Sequence, residues 1–581
     1  MKVPVRQYGA LLLKYLRQQK GIVALASVFI LTNIGLQLVN PQIMRYFIDE
    51  AVAGSPLGRL VAAAGVFIAV ALVQQFVGVL ATYTSGQVGW NATNALRSDL
   101  ARHALSLDMP FHNSRTPGEM IERIDGDSET LGEFFSTFAV QIVGNIIMLV
   151  AVLALLFRES WLAGLALSAF AFVSIAVIIR MRNVSIASWR ADREASTETY
   201  GFIEERLAGR EDVRTSAAQS HVMKGFFDHM WSWFRVRIKA ETIASVVVNT
   251  SQFVNSAGLA VSLLVGAYLF YGDLISIGTV FLIYQYSRLL SRPVFVVSHE
   301  MEGLQRAGAS VIRIHDLLST RQEVIDGRGV RFPNGPLPVR FESVSFAYGS
   351  GESVLRDVTL DLRPGRLLGL LGRTGSGKTT MTRLLFRLYD PDEGRIIIGG
   401  QDIREARIAD LRDRVGLVPQ DVRLFHGTVR DNLTFFDRSV PDAHLLDVLG
   451  EMNLTRWYDS LPDGLDTMLQ PDGGGLSSGE AQMLAFARVF LKDPGLVILD
   501  EATSRLDPST EASIKAAIDR LVQGRTVLII AHHLATIQRC DDIVILENGR
   551  LVEKGEREIL ASNPTTRFHR LLQTGLEEVL S

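Results

Sequence analysis

The chain has 581 residues, of which 48% are hydrophobic and 21% are charged, and its formal net charge is −3. It is too long for a single ordinary domain, and its mean hydropathy of +0.20 excludes an ordinary soluble protein. The small net charge gives no reason to expect nucleic-acid binding, and the single cysteine, Cys540, excludes an intramolecular disulfide.

Six long apolar stretches with almost no charge occupy the first half of the chain. They lie at about residues 21–48, 60–84, 136–157, 161–181, 243–271 and 274–296. Each is long enough for the ~20 residues with which an α-helix crosses a bilayer. One such stretch is compatible with a buried helix of a soluble core, but six in succession predict six transmembrane helices in contact with lipid.

The loops between these stretches differ in length and charge. Those at about residues 85–135 and 182–242 are long and polar, with the pattern of helices, whereas the other connections are short. The long loops carry many arginines, among them Arg97, Arg102, Arg123, Arg190, Arg193, Arg206, Arg210 and Arg214. Because positive charge is concentrated on the cytoplasmic side, we predict that both loops lie in the cytoplasm, in a multi-pass protein of the inner (plasma) membrane.

Residues 1–20 combine five basic residues with an apolar stripe. This pattern predicts a cytoplasmic N-terminus with an interfacial helix that leads into the first span. A signal peptide is the alternative, but no small-residue cleavage site followed by a soluble domain is visible.

The last apolar stretch contains two arginines one helical turn apart, Arg288 and Arg292. An exposed charge near the bilayer centre costs at least ~2.5–3.5 kcal/mol. We therefore predict that both face water and, with Gln285, line an inner cavity for cargo that carries negative charge or carbonyl groups. The alternative is a position near the cytoplasmic end of the span, from which both side chains reach lipid phosphates.

A polar linker rich in glycine and proline, residues 319–338, separates the two halves of the chain. We predict a transmembrane domain at 1–318 and a nucleotide-binding domain at 339–581. Alternating apolar residues predict strands at 339–347 and 354–362, and the pair Asn548-Gly549 predicts a hairpin. Between them, strand and helix patterns alternate as in an α/β nucleotide-binding domain.

A phosphate-loop motif follows the apolar run 367–371, which reads as a buried strand. Residues 372–379 read G-R-T-G-S-G-K-T and fit the pattern G-x-x-x-x-G-K-[ST], so they predict an ATP or GTP site. The glycines let backbone N–H groups surround phosphate oxygens, Lys378 adds positive charge, and the Thr379 hydroxyl can hold Mg²⁺. The predicted nucleotide contacts are Gly372, Gly375, Ser376, Gly377, Lys378, Thr379 and Thr380.

Two acidic residues follow a second apolar run at 496–499. Asp500 ends the predicted strand, where it could hold the hydration shell of Mg²⁺. The adjacent Glu501 is suited to orient and deprotonate an attacking water. Two acids at a strand end are also compatible with a simple helix cap.

Just upstream lies the sequence Leu476-Ser477-Ser478-Gly479-Glu480. With the phosphate loop and the two acids, this order resembles the ATP-binding cassette family over essentially the whole chain. The membrane half precedes the cassette, so the chain resembles an exporter-type half-transporter, and its stretches at 109–112 and 117–119 resemble the first cytoplasmic loop of that type. The resemblance implies an all-α six-helix transmembrane domain with long cytoplasmic helical loops, followed by an α/β P-loop cassette domain.

The implied activity is an ATPase coupled to outward transport of an amphipathic or hydrophobic small molecule, lipid or peptide. An importer with the same architecture, such as the siderophore uptake systems, is the alternative. A soluble cassette ATPase of DNA repair or translation would share the nucleotide motifs but would lack membrane spans.

The resemblance also implies roles for single residues. Tyr348 stands where an aromatic ring stacks on adenine, and Gln420 where the Q-loop glutamine contacts Mg²⁺ and senses the membrane domain. His532 matches the switch histidine that bridges the γ-phosphate and the attacking water, and His533 is the weaker candidate. The implied catalytic residues are therefore Glu501, His532 and Gln420.

In this family the signature helix of one cassette closes over the ATP held by another, which implies a dimer. Ser477 and Gly479 of the signature would contact that ATP, and Asp507 matches the D-loop aspartate that touches the opposite site. The implied Mg²⁺ ligands are Thr379, Gln420 and Asp500.

The signature departs from the family consensus L-S-G-G-Q, because Ser478 replaces the first glycine and Glu480 replaces the glutamine. Ser477 and Glu480 still form a capping box, so the helix can begin normally. However, a carboxylate in the first turn offsets the helix dipole and repels an anion. The preceding loop, residues 467–473, also lacks the glutamate that exporters carry there.

Altered signature residues beside intact catalytic ones resemble one half of a heterodimer with unequal ATP sites. We therefore favour a second, different half-transporter as the partner. A homodimer that tolerates a variant signature is the alternative.

Overall fold

The computed structural model describes residues 11, 13–137, 143–299, 301–349, 351–470, 476–500, 508–531 and 537–574, and of residues 133–137, 182–184, 292–299, 301–306, 456, 478, 508–513 and 574 only the backbone. The chain forms two compact units. One contains Met1–Leu105 and Pro117–Thr320, and the other contains Ser106–Thr116 and Arg321–Ser581.

The first unit is helical throughout its described part. Its helices are α1 (Lys20–Val52), α2 (Leu57–Ser106, whose last residue belongs to the second unit), α4 (Pro117–Ile121), α5 (Asp127–Thr137), α6 (Gly144–Glu159), α7 (Trp161–Ala208), α8 (Arg210–Thr215), α9 (Gln219–Tyr271), α10 (Ile277–His299) and α11 (Met301–Ser319). A short π-helix at Glu122–Gly126 joins α4 to α5. The helix α3 (Met109–Asn113) belongs to the second unit.

Every apolar stretch predicted to span the membrane coincides with one of these helices. Within the described residues, four helices are long and apolar enough to cross a bilayer: Leu13–Val52, Leu57–Ser106, Trp161–Ala208 and Gln219–Tyr271. The two remaining stretches fall on α6 and α10, and residues 138–142 of the former lie outside the described ranges. It therefore remains a prediction that all six stretches span the membrane.

Apolar side chains of the long helices face outward as well as inward. Phe76, Phe172 and Leu264 are 67%, 75% and 71% exposed, respectively. The interior is a cluster of aliphatic residues from α1, α6, α7, α9 and α10, with Leu282 and Tyr286 fully buried. Apolar residues on both sides of a helix are expected where the surrounding solvent is lipid.

The second unit is an α/β domain. Its strands are β1 (Val339–Ala347), β2 (Ser353–Leu362), β3 (Leu367–Leu371), β4 (Glu393–Ile398), β5 (Gln401–Asp402), β6 (Val415–Val418), β7 (Gly427–Thr428), β8 (Met468–Leu469), β9 (Leu496–Asp500), β10 (Thr526–Ile530), β11 (Asp542–Glu547) and β12 (Arg550–Glu556). Its further helices are α12 (Lys378–Leu385), α13 (Ile408–Arg414), α14 (Val429–Thr434), α15 (Asp442–Glu451), α16 (Thr455–Asp459), α17 (Ser478–Lys492), α18 (Pro508–Val522), α19 (Arg557–Ser562) and α20 (Arg567–Thr574).

Over the described residues, the main sheet has the strand order β12-β11-β3-β10-β9-β6, and a second sheet has the order β2-β1-β4-β5. The five strands from β11 to β6 are mutually parallel. Alternate residues of β9 enter two different cores: Val497 and Leu499 pack on one face, and Leu496 and Ile498 pack on the other. Burial on both faces explains why these strands are continuously apolar in sequence.

The predicted hairpin is confirmed, because β11 and β12 pair antiparallel around Asn548 and Gly549. Both turn residues have positive φ, +49° and +77°, as a two-residue type I′ turn requires. The two predicted strands at 339–347 and 354–362 are confirmed as β1 and β2.

Candidate ATP-binding site

The carboxyl ends of the parallel strands bring several predicted site residues to one edge of the main sheet. Ile530 is in register with both Leu370 and Asp500, and Leu499 is in register with Val418. The same edge therefore carries three predicted parts of the site. They are the loop after β3, the carboxylate that ends β9, and the loop after β6, which contains Gln420. Ligands of open α/β sheets bind at this edge.

Three predicted residues, Glu501, Asp507 and His532, lie outside the described residues. Their neighbours in the chain are described. Glu501 directly follows the last residue of β9, and His532 follows Ala531, which comes one residue after the end of β10. The sequence thus ties both residues to the edge that carries the phosphate loop.

The phosphate loop has a backbone that only glycine adopts readily. Gly377 has φ +109° and stands immediately before α12. A Cβ added to Gly377 would lie 2.7 Å from the side chain of Leu355, and one added to Gly372 would collide with the carbonyl oxygen of Leu546. Both the dihedral angle and the close packing therefore require glycine, and they turn the loop toward the start of α12.

Two side chains of the loop fit a phosphate ligand. The ammonium of Lys378 is buried and donates to the carbonyl oxygens of Gly372 and, at 3.2 Å, of Arg373. The hydroxyl of Ser376 is buried and has no hydrogen-bond partner among the described residues. An unsatisfied buried hydroxyl beside a buried cation is a reason to expect an oxygen-rich anion at this place. Thr379 is exposed in the first turn of α12, and Thr380 is buried.

Tyr348 contacts the helix that follows the phosphate loop. Its hydroxyl lies 3.0 Å from that of Thr380 and accepts a hydrogen bond of 3.2 Å from Arg383. Its ring packs edge-on against Phe346 and Tyr389, and it lines a cavity of about 640 Å³. The sequence reasoning missed Arg383, although its position one turn after Thr379 on α12 was a usable signal.

The signature residues begin α17. The predicted capping box is confirmed: the Ser477 hydroxyl accepts from the Glu480 N–H at 3.2 Å, and the Glu480 carboxylate accepts from the Ser477 N–H at 2.7 Å. Gly479 is buried in this first turn. Neither Ser477 nor Gly479 is hydrogen-bonded to the phosphate loop within the described ranges, so the structure does not bring these two sets together in one chain.

A partly buried arginine holds the segment that follows Gln420, and sequence reasoning missed it. Arg488 of α17 donates to the carbonyl oxygens of Asn432 at 2.6 Å and of Arg423 at 3.1 Å. The Asn432 side chain in turn bonds both the N–H and the carbonyl of Phe425 at 2.9 Å. Burial lowers the pKa of Arg488 to about 10, so it stays charged at neutral pH. An arginine within an apolar helix was the available signal.

A membrane-type helical unit joined to a phosphate-loop unit defines an ATP-dependent membrane transporter. The chain matches the family described as "ABC transporter transmembrane region" over residues 23–294 and the family described as "ABC transporter" over residues 355–504. It belongs to the ABC transporter family.

Relatives of known name support this assignment. The chain is 30% identical to the "Uncharacterized ABC transporter ATP-binding protein YfiC" of Bacillus subtilis, over 94% of this chain and 91% of that one. It is 29% identical to the "ATP-dependent lipid A-core flippase" of Escherichia coli over 92% of both chains. It is 31% identical to the "Fatty acid ABC transporter ATP-binding/permease protein" of Mycobacterium tuberculosis, over 80% of this chain and 74% of that one.

A solved structure of a bacterial Atm1-family ABC exporter with ATP bound superposes with a TM-score of 0.75, at 25% identity, over 96% of this chain and 98% of that one. The chain is therefore an exporter-type half-transporter, a multi-pass membrane protein whose ATP hydrolysis is coupled to export and which works as a dimer.

Proposed function

We propose that this chain is one subunit of a heterodimeric exporter of the inner (plasma) membrane that moves an amphipathic molecule with an anionic or carbonyl-bearing head group. The observation that carries the cargo proposal is a cavity of about 600 Å³ with both polar and apolar lining residues, among helices α1, α2, α6 and α10 of the first unit. Two named relatives act on a fatty acid and on lipid A-core, which is in line with an amphipathic cargo.

The cavity wall combines one cation with many amides. Gln285 and Arg288 are among the residues that line it, and the side chain of Arg292 lies outside the described part of the chain. The amides are Asn33, Gln37, Asn40, Gln74, Asn145 and Gln285. Polar side chains are expensive inside a membrane unless they serve a ligand or a water-filled path.

Two of these side chains have unused hydrogen-bonding or charge capacity. Asn40 donates to the Gln74 amide oxygen at 2.9 Å, but its own amide oxygen is buried and has no partner in the part of the chain that the structure describes. Arg288 is exposed to the cavity and forms no ion pair with a described carboxylate. A head group with both an anionic oxygen and a donor would satisfy these groups.

We expect Arg288→Gln to abolish selective stimulation of the ATPase by an anionic amphiphile. Oleate should stimulate the reconstituted protein more than oleyl alcohol, and the variant should need a roughly 10- to 150-fold higher oleate concentration, because a hydrogen bond to a charged group is worth about 1.5–3 kcal/mol. Basal ATPase should persist.

Arg288→Lys should retain the preference for oleate, and Arg59→Gln provides the same charge change on a residue that does not line the cavity. Equal stimulation of Arg288→Gln and wild type by oleate would contradict the cavity proposal and would favour an arginine that binds lipid phosphate.

For the nucleotide we propose the roles implied by the motifs. Gly372, Gly375, Ser376, Gly377, Lys378 and Thr380 would hold the phosphates, and Tyr348 would stack on adenine. Thr379, Gln420 and Asp500 would hold Mg²⁺ with hydroxyl, amide and carboxylate oxygens, which are ligands suited to this hard cation. Bound Mg²⁺ would neutralise charge on the β- and γ-phosphates.

Catalysis would fall to residues at the ends of β9 and β10. Glu501 would accept a proton from the attacking water, and His532 would hold the γ-phosphate and that water in line. Gln420 would help to orient the water beside the metal. Ser477, Gly479 and Asp507 of this chain would close over the ATP that the partner's cassette holds.

Replacement of the stacking ring tests the adenine site. We expect Tyr348→Ala to weaken ATP binding by about 1–3 kcal/mol, or roughly 5- to 150-fold, whereas Tyr348→Phe and Tyr348→Trp keep the affinity. Inhibition by tripolyphosphate, which has phosphates but no base, should be the same in all variants. Equal ATP affinity in every variant would remove Tyr348 from the site.

The sequence alone left import as the alternative to export. Transport in inside-out against right-side-out vesicles decides between them. ATP-dependent accumulation of labelled oleate in inside-out vesicles would support export. No accumulation in those vesicles, together with uptake of oleate into right-side-out vesicles loaded with ATP, would overturn export.

A further inference from the structure

A short piece of chain from the middle of the first half belongs to the second unit. Ser106–Thr116 groups with the ATP-binding unit, although the chain before and after it belongs to the membrane-type unit. It is held by hydrogen bonds: the Asp108 carboxylate accepts from the backbone N–H groups of Glu323 and, at 3.1 Å, of Val324. Gln322 donates to the carbonyl oxygen of Ser106.

The end of helix α3 in this piece contacts a buried tyrosine. The Asn113 side-chain amide donates to the hydroxyl oxygen of Tyr389 at 2.7 Å. Tyr389 is 6% exposed, and burial raises the pKa of its phenol, so the hydroxyl is neutral at physiological pH. This hydrogen bond fixes the hydroxyl end of the Tyr389 ring, whose edges are packed against other side chains.

The Tyr389 ring in turn contacts the residue proposed to stack on adenine. Its centroid lies 5.2 Å from that of Tyr348 at an interplanar angle of 85°, and Phe346 packs edge-on against both rings. The Tyr348 hydroxyl is bonded to Thr380, just after the phosphate loop. Edge-to-face pairs have a preferred geometry, so displacing one ring displaces the other.

We propose that Asn113 and Tyr389 are positioning residues for adenine binding: they hold Tyr348 in its stacking orientation only while α3 is seated on the ATP-binding unit. The inference rests on the proposed role of Tyr348. Its consequence is that the seating of α3 and the affinity for the base are linked, and such linkage is reciprocal.

The test uses the full transporter in lipid nanodiscs. Tyr389→Phe keeps the ring and removes the hydroxyl, and Asn113→Ala removes the donor. Each should raise KM for ATP roughly two- to tenfold, as loss of one hydrogen bond predicts, with kcat at saturating ATP little changed. Inhibition by tripolyphosphate should not change, because that ligand lacks a base. A general structural defect would change both the KM for ATP and the inhibition by tripolyphosphate.

A double-mutant cycle assigns the effect to the bond itself. The variant with both changes should be no weaker for ATP than either single variant, because both remove the same interaction. Tyr458→Phe, a second tyrosine of the same unit outside this cluster, is the matched control and should leave KM unchanged.

The outcomes separate the inference from its premise. If Tyr348→Ala leaves the affinity for ATP unchanged, the proposed adenine site is wrong. If Tyr348→Ala weakens ATP binding but Tyr389→Phe and Asn113→Ala do not, or if their effects multiply in the double variant, only the positioning role is overturned. Changed tripolyphosphate inhibition in the single variants would also overturn it. Should Asn113→Ala unfold, Asn113→Leu, which removes the donor and keeps a branched side chain of similar size, replaces it.

Discussion

Substitution of Glu501 by Gln is expected to reduce steady-state ATP turnover of the assembled transporter by roughly 10²–10⁴-fold, because this is the usual cost of removing a positioned base. Binding should survive, since the amide keeps the shape of the carboxylate and removes only its basicity. The measurement is phosphate release together with the amount of ATP that stays bound to the protein after rapid separation. ATP, rather than ADP, should be retained.

The structure gives this prediction a matched control. Glu501 follows β9, whose neighbours β10 and β6 end at the edge of the phosphate loop. Glu547 ends β11 in the same sheet, but it is paired with Arg567. Glu547→Gln should therefore retain turnover. Turnover near the wild-type level in Glu501→Gln would place the base on another residue.

This chain purified without a different half-transporter is expected to have little or no cargo-stimulated ATPase, and co-expression with such a partner should restore it. The reason is a negative charge at the start of helix α17, which would face the partner's ATP. The Glu480 carboxylate accepts from the backbone N–H of Ser477, so a negative charge is fixed in the first turn of α17. A fixed charge there opposes the helix dipole that should attract the γ-phosphate.

Restoring the consensus signature distinguishes the two kinds of dimer. In a heterodimer, Ser478→Gly with Glu480→Gln should change hydrolysis little when the partner's facing catalytic acid is itself deficient. In a homodimer the same double change improves both sites and should raise activity clearly. Full cargo-stimulated ATPase from this chain alone would contradict the heterodimer.

Local sequence was sufficient wherever the structure depends on a few adjacent residues. The hairpin at Asn548-Gly549 follows from two residues that tolerate positive φ, and the capping box of Ser477 and Glu480 follows from their spacing. The phosphate loop was predicted for the same reason, since its glycines, lysine and threonine are consecutive. Four of the predicted membrane spans fall on helices of the described residues that are long and apolar enough to cross a bilayer, because an apolar run of that length has few other solutions.

Contacts between residues far apart in the chain could not be predicted from local sequence. Asn113 and Tyr389 are 276 positions apart, and neither belongs to a motif. The hydrogen bonds from Arg488 to the carbonyls of Asn432 and Arg423 likewise join residues that are 56 and 65 positions apart. A hydrogen bond depends on positions to within a few tenths of an ångström, which no spacing in one sequence records.

The sequence by itself therefore determined the family, the order of the two units and the residues of the phosphate loop, because these depend on composition and on short-range backbone geometry. Only the tertiary structure decided that amides of four helices surround Arg288 and that α3 reaches Tyr389. The physical reason is that each helix or strand buries an apolar face, and the packing of those faces then chooses which polar side chains meet.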